Sequence, residues 1–534
     1  MIVDFCRRPS LKRKIFEADV APNLAQTRRN LLRLYIRLVV LCVSVLVVVC
    51  RAASPDQSVI SVRQYGAKGD GATDDSRAIQ AALDAADPGG TVYFPATAKS
   101  YYTSTCLHPK AHTTLLGDGP KSEISVPSRG WPLVPSTCYG IINLNHVEGV
   151  RITGLRIVGT VRSADPNHTP KLIYLESVDK VEIDHDDFEN TAFEGIWVGG
   201  EPSTRVTVSN NSFAHIGYGG ANKTQGLPAI QCNWRDGVIS NNSLSDVGTG
   251  IGCSQTNNTI TGNTVNQFSN QGIAIGDGRD NGPFIVSGNT VVFAVTHTHG
   301  APQVGYFAGS GAAGTEHLNN FSGNTCRLIG TAAVVPVGIC YFANSPHVVF
   351  DSNTAEVTNV GLGFLVYGRT GGSDVTLSNN TCSVVNESVR TECFVGKPNG
   401  AGNALSLFSH GNKAYGTSRT KGSFAFDYNT VGGGELNASA SGDLASEGLI
   451  RIGGSVYNSD GRFDHLPFTI NTQSISSVEQ SISFSGVPYA GLGSQPNGTV
   501  TYCQDCQSSG KGDICAPSGK GGLAVKINDV WKCF

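Results

Sequence analysis

One short polar segment holds the residues with the clearest potential for chemistry in this chain. Asp277, Arg279 and Asp280 follow an apolar run in the order Ile275-Gly-Asp-Gly-Arg-Asp. A pair of carboxylates can divide the roles of general acid and general base in glycosidic bond cleavage. Alternatively, an arginine or lysine removes a proton beside a carboxylate that a cation stabilises, as an elimination requires. A polar turn without catalytic function is the third interpretation, and the sequence leaves all three open.

Further candidates share one side of the predicted strands. In a segment such as Gly195-Ile-Trp-Val198 the apolar residues point inward, and the residue between them points outward with the following turn. The candidates on this outer face are Arg235 and Asp236 for catalysis, and Trp197, Glu201, Trp234, Tyr367 and Arg369 for substrate binding. Aromatic rings pack on sugar faces, and arginine pairs with the carboxylate of a uronic acid. The predicted partner is therefore a polysaccharide.

A repeated phrase predicts the elements that position these residues. It reads Val208-Ser-Asn-Asn211-Ser-Phe213 at its first clear copy and Leu377-Ser-Asn-Asn380-Thr-Cys382 at its last. The steps between successive Asn residues are 31, 21, 26, 35, 29 and 27 residues. Short alternating apolar segments lie between the copies and are typical of strands. A rung of about 21 residues with insertions of variable length is typical of a solenoid, and these strands indicate a parallel β-helix.

The repeated Asn residues have a structural interpretation that we favour over a binding site. Asn tolerates the left-handed conformation of a tight bend, and stacked Asn side chains can form a hydrogen-bonded ladder. Matches to Asn-x-Ser/Thr, such as Asn210 and Asn241, follow from the same repeat. Asp186 takes the Asn position in Ile183-Asp-His-Asp-Asp-Phe188, either as part of a site or as a replacement for a ladder Asn.

Composition and the N-terminus point to an exported all-β protein. The chain has 534 residues, 65 of them Gly, and a net charge of -3, which does not favour nucleic-acid binding. Residues 1–37 carry nine Lys or Arg and three acidic residues, followed by thirteen uncharged residues from Leu38 to Cys50. This run matches a signal-peptide core of ~7–15 residues. We predict a secreted, cell-surface or periplasmic location. Whether the segment is cleaved, or residues 31–50 anchor the chain in the membrane, stays open.

Cysteine usage agrees with export. Of 15 Cys, three lie at or before Cys50, which leaves an even number of twelve. Cys106 and Cys138 are one candidate pair. Cys232 and Cys253 occupy equivalent places on adjacent rungs and form either a disulfide or two stacked thiols. The last four, Cys503, Cys506, Cys515 and Cys533, form two disulfides or bind zinc, and export favours disulfides.

The N-terminal part of the exported region resembles a known superfamily. Tyr65-Gly-Ala-Lys-Gly-Asp-Gly-Ala-Thr-Asp-Asp75 precedes a predicted helix with Thr73 as its N-cap, and Gly89-Gly-Thr-Val-Tyr-Phe-Pro95 follows. These motifs resemble the start of the pectate lyase-like domain of rhamnogalacturonases, related epimerases and phage tailspikes. The resemblance covers residues 58–415 and implies a right-handed parallel β-helix, usually with a polysaccharide substrate. It does not imply one reaction, because members hydrolyse, eliminate, epimerise or only bind.

The catalytic motifs of the better-known members are missing. Polygalacturonase-type hydrolases carry Asn-Thr-Asp, Asp-Asp, Gly-His-Gly and Arg-Ile-Lys. The corresponding rung here reads Ser269-Asn-Gln-Gly272, and neither Gly-His-Gly nor Arg-Ile-Lys occurs. No catalytic residue of the family can therefore be carried over, and a requirement for Ca²⁺ stays open.

The predicted architecture is an all-β right-handed parallel β-helix, with an N-terminal capping helix and a small Cys-containing β module at the C-terminus. The predicted regions are residues 1–54 for targeting, 55–415 for the β-helix, 416–485 for an irregular β-rich extension and 486–534 for the module. The predicted function is an extracellular polysaccharide lyase or glycoside hydrolase that acts on acidic glycans. The alternatives are a non-catalytic, glycan-binding, tailspike-like adhesin and a structural envelope protein.

Overall fold

The computed structural model describes most of the chain beyond the predicted targeting segment. The described residues are 59–127, 138–160, 171–200, 203–217, 226–276, 283–295, 302–309, 317–331, 333–334, 336–370, 372–385, 391–398, 403–416, 424–426, 434–441, 445–446, 450–452, 486–493, 499–507 and 510–534. They divide into two compact units, one ending at residue 464 and the other beginning at residue 465. Within these ranges, no helix combines the length and the apolar character that a membrane crossing needs. The predicted signal or anchor segment lies outside the described residues.

The first unit is a parallel β-helix, as the repeat predicts. From the rung that contains Gly140–Asn145 onward, each rung contributes one strand to each of three parallel stacks, in the order stack 1, stack 2 and stack 3. Stack 1 contains Val59–Ser61, Thr91–Phe94, Thr114–Gly117, Arg151–Thr153, Glu182–Asp184, Thr207–Ser209, Val238–Ser240, Asn258–Thr261, Phe284–Ser287, Asn319–Ser322, Val348–Asp351, Asp374–Ser378, Asn403–His410 and Gly434–Ser441. The last strand of stack 1, Gly434–Ser441, pairs in parallel with Asn403–His410, and Phe424–Phe426 pairs in parallel with Ile450–Ile452. Parallel stacking therefore continues beyond residue 415, into the region that the sequence analysis predicted to be irregular.

The other two stacks complete each rung. Stack 2 contains Tyr101–Tyr102, Glu123–Ser125, Arg156–Val158, Asp187–Thr191, Ser212–Ile216, the first parts of Ser243–Cys253 and Thr264–Ile275, Thr290–Ala294, Thr325–Ile329, Thr354–Thr358, Thr381–Val385, Lys413–Gly416 and Ala445–Ser446. Stack 3 contains Gly140–Asn145, Lys171–Glu176, Ile196–Val198, Pro228–Cys232, the second parts of the two long strands, Val304–Ala308, Ile339–Ala343, Gly361–Thr370, Thr391–Pro398, Phe424–Phe426 and Ile450–Ile452. Ser203–Thr204 and Trp234–Arg235 pair at the bend between stacks 3 and 1.

The predicted Asn ladder lies at the bend between stacks 1 and 2. Asn211, Asn242 and Asn263 illustrate the pattern, which runs on through Asn289, Asn324, Asn353, Asn380 and Asn412. Each side-chain oxygen accepts the backbone N–H and the side-chain amide of the preceding rung, and each amide also donates to a carbonyl of that rung. The ladder is buried and its hydrogen bonds are satisfied, which confirms a structural role.

The sequence analysis expected the ladder Asn residues to take the left-handed backbone conformation of the bend, and this expectation is wrong. The ladder residues do not have positive φ, whereas the residue before each of them does, as at Asn210 (φ 59°), Asn241 (φ 57°) and Gly262 (φ 66°). The left-handed residue of the bend is therefore the exposed neighbour, and Asn is required at the ladder position for its side-chain hydrogen bonds.

Asp186 begins the ladder. Its backbone N–H donates to Asn211 Oδ1 (2.9 Å), and its Oδ1 accepts the N–H of Leu155 (2.7 Å). Its Oδ2 is buried and has no hydrogen-bond partner among the described residues. Burial raises the pKa of this carboxyl well above its ordinary value. Its position in the row and its two hydrogen bonds show that Asp186 replaces a ladder Asn. A neutral carboxyl, like the Asn amide, carries a hydrogen that it can donate.

A helix covers the first rungs, as predicted. It spans Ser76–Ala85 after a 3₁₀ turn at Val62–Tyr65, and its buried face contributes Ile79, Ala82 and Leu83 to the core. The predicted N-cap, Thr73, is wrong, because the helix starts after Asp75. Asp75 accepts the backbone N–H groups of Lys68 and Gly69 instead, at 2.7 and 2.9 Å, and so ties the preceding Gly-rich turn to the helix start.

All twelve cysteines beyond Cys50 are paired. The predicted pairs Cys106–Cys138 and Cys232–Cys253 form, and so do Cys326–Cys340 and Cys382–Cys393, which the sequence analysis did not anticipate. The C-terminal cysteines pair as Cys503–Cys506 and Cys515–Cys533. Six disulfides are typical of proteins in oxidising, extracellular compartments.

The second unit contains the predicted small module. Its elements are Gly486–Val487, the 3₁₀ turn Tyr489–Gly491, Val500–Cys503, Cys506–Gln507, Asp513–Ile514, Ala516–Pro517, Gly522–Ile527 and Val530–Cys533. The last two strands form an antiparallel hairpin around Asn528 and Asp529, both with positive φ. Its core consists of the four disulfide-bonded cysteines with Leu492, Ala524 and Trp531. With so few apolar side chains, the module depends on its disulfides for stability.

Candidate functional site

The outer face of stack 3 changes in character along the solenoid. The strand register aligns one outward residue of each rung in a row: Asn143, Tyr174, Trp197, Gln231, Gly252, Ala274, Phe307, Phe342, Leu365 and Val395. We call this row the outer row. Its first third is polar and aromatic, its middle has small residues, and its last third is apolar. Recognition of a polar polymer is therefore best supported at the first third.

An aromatic cluster marks that first third. The ring centroids of Tyr139 and Tyr174 lie 4.9 Å apart, those of Tyr174 and Trp197 5.2 Å, and those of Tyr139 and Trp197 6.4 Å. Tyr139 is exposed, Trp197 is half-buried and Tyr174 lies buried beneath them. The Tyr174 hydroxyl donates to Glu176 Oε2 at 3.0 Å. Burial, reinforced by this hydrogen bond, raises the pKa of Tyr174. The cluster thus presents two accessible rings, which suit stacking against a sugar.

Two glycines allow the chain to pass closely over this cluster. A Cβ at Gly199 would lie 2.7 Å from the ring of Tyr174 and 2.9 Å from that of Trp197. Gly200 has a left-handed conformation (φ 61°), and a Cβ there would lie 2.2 Å from Glu176 Oε1. Side chains at these positions would displace the aromatic rings or the carboxylate, so the Gly-Gly pair is required for the arrangement of the site.

A buried lysine and a buried glutamate flank the aromatic cluster. Lys171 Nζ lies 3.9 Å from Glu194 Oε2, 4.2 Å from the centroid of the Trp197 ring and 5.2 Å from that of Phe193. Only 17% of the Lys171 side chain and 10% of the Glu194 side chain are exposed. Among the described residues, Glu194 Oε2 has no hydrogen-bond partner. The lysine is thus held by aromatic faces and by one carboxylate beyond hydrogen-bond distance.

The surroundings of this pair favour its neutral forms. Burial raises the pKa of Glu194, partly offset by Lys171, and burial lowers the pKa of Lys171, partly offset by Glu194. A buried pair at this separation recovers little of the desolvation cost of its two charges. Buried titratable groups with shifted pKa values on an outer face are typical of functional sites. Glu194 can donate a proton, and Lys171 can accept one.

A local irregularity brings the Lys171 side chain outward. The N–H groups of Leu172 and Ile173 both donate to the carbonyl of Gly195, at 3.0 and 2.9 Å, and both side chains are buried. Two consecutive inward residues interrupt the alternation, as in a β-bulge. Lys171 therefore reaches the outer face with Tyr174. Strict alternation predicts that Lys171, and Glu194 at the equivalent position one rung later, point inward. The sequence analysis therefore missed this pair.

Trp197 is the predicted site residue that the structure places in the cluster. Glu201 lies outside the described residues, as do Asp277, Arg279 and Asp280.

Tyr367 lies at the apolar end of the face, where it packs against Phe342 with ring centroids 5.1 Å apart. Six rung steps separate its strand from that of Trp197, or about 29 Å. Arg369 lies on the same strand as Tyr367, where its backbone pairs with Ala404.

The placement of Trp234 on the outer face is wrong. Its side chain is fully buried and belongs to the core. The period-two alternation simply continues through the bend, so that Cys232 and Trp234 both point inward while Asn233 between them is half-buried. Gly237 leaves room for the ring, because a Cβ there would lie 2.1 Å from Trp234 Nε1. Trp234 therefore stabilises the bend and cannot contact a substrate.

Arg235 and Asp236 lie at the bend that follows the Gln231 strand. Arg235 Nε donates to Gln255 Oε1 at 3.2 Å, and Asn257 Nδ2 donates to Asp236 Oδ1 at 2.6 Å, both on the next rung. Asp236 is exposed and left-handed (φ 57°). These contacts run along the bend and connect neighbouring rungs, so the pair has a structural role whether or not it also contacts a ligand.

Of the two aromatic residues that the sequence analysis missed, Tyr174 does have a signal in the repeat. Lys171-Leu-Ile-Tyr-Leu-Glu176 aligns with Glu194-Gly-Ile-Trp-Val-Gly199 one rung later, with Tyr174 opposite Trp197. Tyr139, by contrast, lies before the Gly140–Asn145 strand, where no repeat marks it.

Within the described ranges, two groups of side chains are close enough to hold a metal ion: Cys506, Cys515 and Cys533, and Cys503, Asp505 and Cys506. The sulfurs of both groups form disulfides.

Comparison with protein families agrees with this architecture. Residues 59–300 match the family described as rhamnogalacturonase A/epimerase, pectate lyase-like. This part of the chain is a pectate lyase-like domain. The matched range includes the aromatic cluster and the Lys171–Glu194 pair, whereas Tyr367 and Arg369 lie beyond it. A search of curated proteins found no match.

Solved structures with similarity to the chain have varied functions. The A-module of the mannuronan C-5 epimerase AlgE6 of Azotobacter vinelandii is 14% identical, with a TM-score of 0.45, over 74% of this chain and 100% of that one. The surface protein and adhesin PfbA of Streptococcus pneumoniae is 17% identical, with a TM-score of 0.43, over 74% and 100%. A family 28 exopolygalacturonase of Yersinia enterocolitica is 16% identical, with a TM-score of 0.43, over 75% and 79%.

Proposed function

We propose that this protein is an extracellular polysaccharide lyase that binds an acidic glycan along the outer face of stack 3. The observation that carries the proposal is the Lys171–Glu194 pair, buried beside the rings of Tyr139 and Trp197. Membership of residues 59–300 in a family named for rhamnogalacturonase and epimerase supports a carbohydrate as the substrate class. The location is supported by the six disulfides.

The chemistry assigned to each side chain follows from its surroundings. A sugar ring stacks on Tyr139 and Trp197. The neutral amine of Lys171, favoured by burial, accepts the proton on the carbon next to the uronate carboxyl group. The carbon–oxygen bond to the leaving sugar breaks, a carbon–carbon double bond forms, and the protonated carboxyl of Glu194 donates its proton to the leaving oxygen. Asp277, Arg279 and Asp280 remain proposed contributors from the segment that follows the Ala274 rung.

A product assay tests this proposal. The full chain is incubated with acidic and neutral polysaccharides, with and without Ca²⁺, while ultraviolet absorbance of unsaturated uronate and new reducing ends are followed together. A lyase produces both signals. Reducing ends without absorbance would contradict elimination and indicate hydrolysis, and the variants Glu194→Gln and Asp277→Asn/Asp280→Asn then identify which carboxylates act.

A non-catalytic adhesin is the second candidate, and a specific observation favours it. The last third of the outer row offers the half-buried rings of Phe307 and Phe342, packed on the buried Leu365 with Tyr367 beside them, and no acid in the row. Such a surface can bind sugar rings without any chemistry. Retained binding to one polysaccharide, with no product from any, would overturn the lyase proposal in favour of binding alone.

A further inference from the structure

The exposed residues at the bend between stacks 1 and 2 form a column with its own chemistry. We call it the edge column: it consists of the residue that precedes each ladder residue. Its members are His185, Asn210, Asn241, Gly262, Gly288, Gly323, Ser352, Asn379 and Gly411, all with positive φ. Within the column, Asn210, Asn241 and Asn379 are exposed, whereas the ladder Asn that follows each of them is buried. Each Asn-Asn pair therefore contains one buried ladder residue and one exposed residue.

Each of these three exposed Asn residues begins an Asn-x-Ser/Thr acceptor sequence. The hydroxyl residues are Ser212, Ser243 and Thr381, which open the following stack 2 strands. Such a sequence is the acceptor for Asn-linked oligosaccharide in exported proteins. The left-handed bend does not require Asn here, since Gly serves at Gly262 and Gly288. The repeat explains why the motif recurs, but the ladder itself uses only the buried amide of each pair.

Asn241 and Asn379 each have a glycine at the equivalent position of the next rung, so no side chain at that position crowds a glycan on that side. A Cβ at Gly262 would lie 2.5 Å from Asn241 Oδ1, as one at Gly411 would from Asn379 Oδ1. Asn379 Nδ2 donates to Asp351 Oδ1 at 3.1 Å, a bond that a glycosylated amide retains through its remaining N–H. Asn210, by contrast, has Asn241 on the adjacent rung about 4.8 Å away.

We propose that the edge column is a glycosylated edge, with Asn-linked oligosaccharides on Asn241 and Asn379. Glycans on these residues project from the bend between stacks 1 and 2, which is the one bend of the rung that does not adjoin stack 3. They therefore shield one edge of the solenoid from proteases and from other chains while the outer face of stack 3 stays open. Because adjacent rungs are so close, Asn210 is modified only in chains in which Asn241 is not.

Glycopeptide mass spectrometry tests the proposal. The full chain is secreted from cultured insect cells and analysed before and after treatment with an amidase that removes Asn-linked glycans and converts the acceptor to Asp. The expected result is conversion at Asn241 and Asn379 and no conversion at the ladder residues Asn242 and Asn380. A secreted, folded chain with unmodified Asn241 and Asn379 would overturn the proposal.

Hydroxyl variants separate glycosylation from folding. Ser243→Ala and Thr381→Ala keep both Asn residues of each pair, and each is expected to abolish the glycan at its own site only. Ser243→Thr restores an acceptor and is expected to restore the glycan at Asn241. Binding of the secreted chain to polysaccharide before and after deglycosylation is expected to be the same within twofold. A large change in binding would contradict the placement of the glycans away from stack 3.

Discussion

The Asn ladder and the Lys171–Glu194 pair are both built from buried polar side chains on neighbouring rungs, but they differ in how completely those groups are satisfied. Ladder amides donate and accept within 3.1 Å along the whole bend. Lys171 Nζ and Glu194 Oε2 are 3.9 Å apart, and Glu194 Oε2 has no hydrogen bond among the described residues. The ladder stabilises the fold because its buried amide groups are all hydrogen-bonded. The Lys171–Glu194 pair costs stability because its polar groups are not all hydrogen-bonded, and such a pair is typical of a functional site.

The largest effect is expected from Glu194→Gln. It removes the proton donor while preserving the shape of the side chain, and general acid catalysis is typically worth about 10²–10⁴-fold. We therefore expect polysaccharide cleavage to fall by about that factor in initial-rate measurements, with unchanged thermal stability or a small gain. Glu123→Gln is the matched control, because Glu123 pairs with Arg156 on stack 2 and should leave the rate unaltered. A fully active Glu194→Gln variant would contradict the assigned role.

Interrupting the ladder is expected to affect stability, not chemistry. Asn289→Leu leaves Asn263 without its acceptor and the carbonyl of Ile260 without its donor. Each unsatisfied buried group costs about 1–3 kcal/mol, so the free energy of unfolding should fall by about 3 kcal/mol or more in denaturant titrations. Asn241→Gly, at an exposed position where other rungs use Gly, should change stability by less than about 0.5 kcal/mol. Similar losses in the two variants would contradict the distinction between ladder and edge.

Asp186 is the point where the ladder itself is incompletely satisfied. Its raised pKa means that the native state holds a proton that the unfolded chain releases above an ordinary value of about 3.9. The stability contributed by this proton is fully present below that value and is lost as pH rises through the native pKa. Asp186→Asn supplies a permanent donor, so it should stabilise the fold at neutral pH by about 1–3 kcal/mol.

The pH dependence of stability checks the interpretation of Asp186. Thermal melts of the wild-type chain from pH 4 upward should show a decline in stability that Asp186→Asn reduces, while the two proteins converge at the acid end. If the variant is equally stable at all pH values, Asp186 does not act as a protonated ladder residue. Asp184→Asn, at the end of the stack 1 strand that precedes Asp186 and paired with Arg151, is a control expected to lose stability at neutral pH.

The smallest effects concern the two ends of the stack 3 face. Trp197→Ala removes a ring beside the Lys171–Glu194 pair, and Tyr367→Ala removes one about 29 Å away. A stacking ring is worth about 1 kcal/mol, or roughly fivefold in affinity. We expect Trp197→Ala to weaken binding of short oligosaccharides and of polymer, measured by calorimetry. Tyr367→Ala should weaken polymer binding only, and equal effects on short ligands would contradict a site confined to the first third of the face.

Much of the fold was predictable because the solenoid repeats its local rules. The Asn phrase recurs at each rung, so one copy identifies a bend, and the alternating strands identify the interior. The candidate site was predictable only at Trp197, which follows the same alternation. Trp234 was misplaced because the bend was assumed to end the alternation, although Cys232, Asn233 and Trp234 continue it. Lys171 and Glu194 were missed because the bulge at Leu172 and Ile173 interrupts the alternation without a sequence signal of its own.

The sequence by itself determined the parallel β-helix, its Asn ladder and its capping helix, because each depends on residues at regular spacing. Only the tertiary structure decided how the cysteines pair and which outer residues share a site. Tyr139, the Lys171–Glu176 strand and Glu194 belong to three successive rungs, and they meet because strand register and a local bulge bring them to one face. Such contacts depend on stacking between rungs, and no local pattern within a single rung encodes them.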